Sequence, residues 1–132
     1  MSDAARTLLV MQTWAVVGLS NDRSRAAYGV AKFLQDKGKR VIPVHPSAPT
    51  VHGEPGFATI AEIPFDVDVV DSFVRSELVG PVVDDAIRAG AKGVWMQLGV
   101  VDTEAARRAA DEGLAVVMDR CPKIDWAAFG PG

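Results

Sequence analysis

There is one cysteine, Cys121, in 132 residues. It has no internal partner, so no disulfide framework supports an exported fold. Histidine is nearly as scarce. His45 and His52 are the only two, and with Cys121 they show no ligand spacing of a closed zinc site. Charge of one sign is nowhere concentrated: 14 basic and 17 acidic side chains are interspersed and leave a net charge of −3. That balance argues against bulk binding of nucleic acid or an anionic membrane. The apolar patch from Leu8 to Met11 is too short to span a bilayer, and Asp3 precedes it where a signal peptide carries basic charge. Repeats and low-complexity segments are missing too. These absences leave a cytoplasmic globular domain. At this length, residues 1–132 are expected to form a single domain with its own core.

What is present is a regular alternation. Residues 3–12 predict a short helix packing Leu8, Leu9 and Met11 inward. The nearly unbroken apolar run WAVVGL (14–19) predicts a strand buried on both faces, as in a parallel sheet. A helix follows over 24–37, with Ser24 as its cap, Val30, Phe33 and Leu34 on one stripe, and Gly38 as its stop. RVIPVHP gives a second strand at about 41–45, where Pro43 implies an edge position or an irregularity. Residues 46–64 form the longest irregular stretch, with one helical turn near Thr59–Glu62. A third strand is expected at about 67–72. The next helix has Ser76 as its cap or Pro81 as its true start, and Gly90 as its stop. KGVWMQLG reads as a fourth strand, TEAARRAADEG as a helix capped by Asp102 and ended by Gly113, and LAVVMD as a fifth strand. The tail RCPKIDWAAFGPG has room for one short helix over the sheet. Trp126 and Phe129 could bury themselves within the chain or in a homodimer or other partner interface. Strands alternating with helices at this spacing imply an α/β, Rossmann-like, doubly wound, mainly parallel five-stranded sheet with helices on both faces.

In such a sheet a ligand lies beyond the C-terminal strand ends, where strand order reverses. The stretch GLSNDRSRAAYGV (18–30) is expected there. Gly18 permits a tight turn and close approach of a ligand to the backbone. The next helix offers free N–H groups and a favourable dipole to an anion. Ser20 and Ser24 add hydroxyls, and Arg23 and Arg25 can fork onto phosphate. The turn reads G-x-S-x-x-x-S rather than G-x-G-x-x-G, and Val44, His45 and Pro46 supply no acid for ribose hydroxyls. Both features argue against NAD. A nucleotide with a phosphate on its ribose suits this strand end better. A hydrolase triad on Ser20, with His45 or His52 and Asp71 or Asp119, lacks the second glycine of the nucleophile elbow. Other strand ends add Phe73 and Arg75, then Gln97 and Gly99, then Cys121 near Arg120 and Lys123. Close cations would lower the thiol pKa, whereas a packed cysteine would be inert.

Three stretches carry a family resemblance: AVVGLSNDRSRAAYGVAKFLQDKGKRVIPVHP (15–46), DVVDSFVRSELVGPVVDDAIRAGAKGVWMQLGVVDTEAA (68–106) and GLAVVMDRCPKID (113–125). They resemble the small single-domain CoA-binding proteins, whose fold is similar to the CoA-binding domain of the succinyl-CoA synthetase α subunit. Many members carry Asn where this chain has His45. The resemblance implies coenzyme A or an acyl-CoA bound across the strand ends, with its diphosphate on the Gly18–Ser24 turn. It places Arg23 or Arg25 at phosphate, His45 and Pro46 beside adenosine, and Phe73 and Arg75 along adenine and pantetheine. Gln97 and Gly99 then face the pantetheine arm. Catalysis is not implied, because the synthetase uses a phosphohistidine and further domains. The expectation is a stand-alone carrier, sensor or regulatory protein with no catalytic residue and no metal. The alternative is a thiol-dependent enzyme or redox protein using Cys121 with the CoA thiol.

Overall fold

The computed structural model describes residues 2–131. Five strands, β1 (Thr13–Val17), β2 (Arg40–Val44), β3 (Val69–Ser72), β4 (Gly93–Met96) and β5 (Ala115–Val117), form one sheet. Their order is β2-β1-β3-β4-β5 and every pairing is parallel. Five helices, α1 (Ser2–Leu9), α2 (Ala26–Asp36), α3 (Ser76–Arg88), α4 (Thr103–Asp111) and α5 (Pro122–Phe129), accompany it. The expected α/β architecture is therefore the observed one.

Apolar side chains from the two sheet faces form two cores. Trp14, Val16, Val41, Val69 and Trp95 pack with α1, α2 and α5, while Ala15, Val70, Val94 and Met96 pack with α3 and α4. Period-2 alternation sends successive strand residues to opposite faces, and both faces are covered, so the strands are largely apolar, with Asp71 and Ser72 of β3 as buried polar exceptions. The Trp14 and Trp95 rings lie 5.8 Å apart. Each indole N–H is satisfied by a backbone carbonyl, that of Met11 and that of Arg120 respectively.

Pro43 does mark an edge. β2 pairs only with β1, and the Pro43 carbonyl turns outward to accept from the Phe57 N–H at 3.0 Å. The Pro43 nitrogen faces the same outer side, so its missing proton removes no bond to β1. α1 ends at Leu9 rather than at 12, because the Met11 N–H folds back to the Leu8 carbonyl and frees Thr13 to enter the sheet.

Two expected caps are not caps. Arg25 occupies the cap position of α2, and Ser24 instead gives its hydroxyl to Asp22 Oδ1 at 2.6 Å. Ser76 is the first residue of α3, not its cap, and Pro81 lies inside that helix rather than at its start. The Ser76 hydroxyl accepts from the Val101 N–H at 2.9 Å and donates to the Gly99 carbonyl at 3.2 Å. It ties the start of α3 to the loop after β4. Asp102 does cap α4, accepting from the Ala105 N–H at 2.9 Å. The tail helix exists, and Trp126 meets Phe33 edge-on at 5.9 Å, so this indole is used within the chain.

Candidate functional site

Strand order reverses between β1 and β3. The chain leaves β1 toward β2 through α2 on one face, and leaves β3 toward β4 through α3 on the other. A cleft of about 770 Å³ opens there, at the C-terminal strand ends. It is lined by Gly18 and Ser20 after β1, Asp22 and Arg25 in the turn, and Ala26 and Ala27 at the start of α2. His45 and Pro46 after β2, Phe73 to Arg75 after β3, Leu78 of α3, and Gln97, Leu98 and Val100 after β4 complete it. A smaller cleft of about 420 Å³, between residues 60–67 and the end of α3, holds none of the expected site residues.

Gly18 has φ +96° and gives its N–H to the Val44 carbonyl at 2.8 Å. A Cβ at this position would meet the Phe73 Cβ at 3.4 Å. Glycine thus serves both the left-handed backbone and the close passage of β3's extension. The following turn is held by Asp22, whose carboxylate accepts from both the Ser24 N–H and the Ser24 hydroxyl. Those bonds, first the hydroxyl and then the amide, hold the Asp22 carboxyl below its ordinary value. Arg25 lies 3.8 Å from the same carboxylate and is well exposed. No side chain caps α2. The N–H groups of its first residues, Ala26 and Ala27, are therefore left at the cleft wall as donors to an anion.

The opposite wall differs in kind. Gln97 is buried, and its Oε1 has no hydrogen-bond partner. An orphaned acceptor at a cleft wall suits an amide or hydroxyl donor from a ligand. His45 accepts at Nδ1 from the Ser47 N–H, with the Ser47 hydroxyl 2.9 Å away. Its main-chain N–H donates to the Phe57 carbonyl. The end of β2 is thus built without an acid, and the residues present fit a nucleotide whose ribose is phosphorylated better than NAD.

Of the residues expected at the site, Gly18, Ser20, Arg25, His45, Pro46, Phe73, Arg75 and Gln97 line this cleft. Arg23 does not; its guanidinium lies over the Tyr28 ring, 5.8 Å from the centroid. Ser24 does not line the cleft either, and its hydroxyl is engaged by Asp22. Gly99 stands just outside, at φ +80°, with its N–H bonded to Asp119 Oδ1 at 2.7 Å. Sequence reasoning missed Asp22, whose spacing to Ser24 is the signature of a side-chain turn. It also missed Val74, Leu78, Leu98 and Val100, which lie in or beside loops where periodicity gives no signal.

No hydrogen bond joins the residues of the expected triad. Ser20 Oγ accepts from the Asp22 N–H, His45 Nδ1 is engaged by Ser47, His52 bonds the Tyr28 carbonyl through Nε2, and Asp119 holds Gly99. Asp71 is buried without a hydrogen-bond partner. Cys121 also departs from the reactive picture, because its thiol is buried in the core with Trp95 and Val117 and does not line the cleft.

The fold is that of a Rossmann-like α/β domain with a cleft open at its C-terminal strand ends. The family model described as CoA binding domain matches residues 12–127, and the chain belongs to that family. It is 36% identical over 113 residues to the uncharacterized protein YneT of Bacillus subtilis, covering 86% of this chain and 84% of that one. A hypothetical protein from Pyrococcus horikoshii superposes with a TM-score of 0.91 at 33% identity, over 98% of this chain and 92% of the other. The α subunit of an ADP-forming acetate–CoA ligase II from Pyrococcus furiosus is 33% identical over 81 residues. That match takes 61% of this chain but only 18% of the ligase subunit. No helix among the described residues is long and apolar enough to cross a membrane.

Proposed function

We propose that this chain binds coenzyme A in the cleft at the β1–β3 junction, as a cytoplasmic module that carries, senses or reports the cofactor without turning it over. The diphosphate lies on the Gly18–Ser24 turn and the α2 N-terminus, with Arg25 and Arg75 supplying charge. Adenosine lies by His45 and Pro46. The pantetheine arm runs past Phe73 to Gln97, whose free Oε1 accepts one of its amide protons. When bound, CoA supplies a nucleophilic thiol and the capacity to hold an acyl group as a thioester. The residues of this chain orient it and shield its arm from water.

One observation carries the reading. The uncapped α2 N-terminus and two arginines meet on one cleft whose β2 side has no ribose-binding acid. Family membership supports the same ligand. Cys121 is not given a role, since a thiol exchanging with CoA must reach the cleft and this one is buried in the core. The test is CoA binding by Arg25→Ala, Arg75→Ala and the double variant across a salt series. Charge-assisted bonds at exposed positions predict about a tenfold loss for each, worth about 1.4 kcal/mol. The double variant also loses most of the salt dependence. Unchanged affinity and salt dependence in the double variant contradicts the placement of the phosphates.

A further inference from the structure

Five large apolar side chains stand exposed among the described residues: Val10, Leu78, Leu98, Val101 and Ile124. Isolated exposed apolar residues need no explanation. Three of these are not isolated. Leu78 and Leu98, 50% and 57% exposed, line the cleft. Val101 belongs to the same rim, because the Ser76 hydroxyl accepts from its N–H and donates to the Gly99 carbonyl. Buried Val100 roots this loop in the core under α3 and α4. The result is an apolar lip, fixed by hydrogen bonds and continuous with the cleft, at the end of β4.

The position of the lip identifies its occupant. In the reading above, which this inference rests on, the ligand runs from the end of β2 to Gln97, so its thiol emerges beside Leu98. We infer that the preferred ligand is a CoA thioester of an apolar acyl group, whose hydrocarbon chain lies on Leu78, Leu98 and Val101. Free CoA leaves that lip in water, whereas an acyl chain of several methylenes covers it. Burial against a half-open surface is worth about twofold in affinity per seated methylene.

Calorimetric titrations with CoA, acetyl-CoA and octanoyl-CoA test this on the wild type, on Leu98→Ser/Val101→Ser, and on Val10→Ser. Val10 lies at the opposite end of the sheet, before β1, and serves as the control. With about three of its six extra methylenes seated on the lip, octanoyl-CoA is expected to bind about tenfold more tightly than acetyl-CoA to the wild type and to Val10→Ser. The lip variant brings that ratio below about threefold. Equal affinities for the two thioesters, with CoA still bound, overturn the acyl assignment and leave the CoA reading intact. No binding of CoA in any form overturns both. A ratio that persists in the lip variant overturns the assignment too. So does a wild-type dimer in sedimentation that the lip variant dissolves without any chain-length effect, since the lip then belongs to a second copy.

Discussion

Asp71 lies in β3 with no exposed surface, opposite Val16 on one side and Trp95 on the other. Neither of its carboxyl oxygens has a hydrogen-bond partner. An ion there would be stripped of water with nothing in return, so burial pushes its pKa well above the ordinary 3.8. The folded chain therefore keeps a proton that the unfolded chain has already released. Stability must fall as pH rises, from about the unfolded value up to the native one, by about 1.4 kcal/mol per pH unit. Asp71→Asn removes the titration while keeping the shape. The amide brings its own unpartnered donors, which shift stability by an amount that does not depend on pH. The informative quantity is thus the slope of the difference. Urea denaturation of both proteins between pH 4.5 and 7 should show the variant gaining on the wild type by about 1.4 kcal/mol per unit, until the native group titrates. A constant difference over that range would refute the assignment of a neutral, desolvated Asp71.

Other substitutions test the packing and the turn. In Gly93→Ala the new methyl would run into the Leu8 side chain and lie 2.8 Å from the Ala115 carbonyl, so Leu8 must repack and the β4–β5 pairing must shift. A loss of about 1–3 kcal/mol is expected in chemical denaturation. Arg120→Ala strands the buried Asp125, which the guanidinium holds by bonds of 2.6 and 3.2 Å. Because Arg120 is partly solvated, the expected cost is about 1–3 kcal/mol, less than for a fully buried pair, with a lowered thermal midpoint as the readout. Gly18→Val imposes a β-branched side chain at φ +96° against Phe73. It should cost about 1–3 kcal/mol of stability and weaken CoA binding at least tenfold, both measurable on the same preparation.

The strands were legible because parallel strands covered on both faces must be apolar nearly end to end, and WAVV and GVWM have no other economical reading. Pro43 correctly marked the edge, since a missing donor is tolerated only where no neighbour needs it. Caps were less legible. Ser24, Ser76 and Asp102 look equivalent in sequence, but only Asp102 bonds its helix. Asp22 captures Ser24, and the loop after β4 captures Ser76, and both competing partners are set by local or tertiary geometry. The same holds for the two arginines of the turn. Arg23 and Arg25 are two residues apart, and the turn sends one over Tyr28 and the other to the cleft. In sequence Asp71 is a candidate triad acid at the end of the third strand, and its burial is not legible. Nothing in DVDVVDSF separates it from Asp68, which accepts from the Thr13 N–H and pairs with Lys92 at the strand's other end. Burial, not residue type, distinguishes them.

The proposed function rests on coenzyme A occupying the cleft at the β1–β3 junction. Its most direct test is a calorimetric titration of the purified protein with CoA, beside 3′-dephospho-CoA and NAD. Saturable binding of CoA at one site per chain is expected, with weaker binding without the 3′-phosphate and none of NAD. A flat titration with CoA, or equal binding of NAD, would contradict the proposed function.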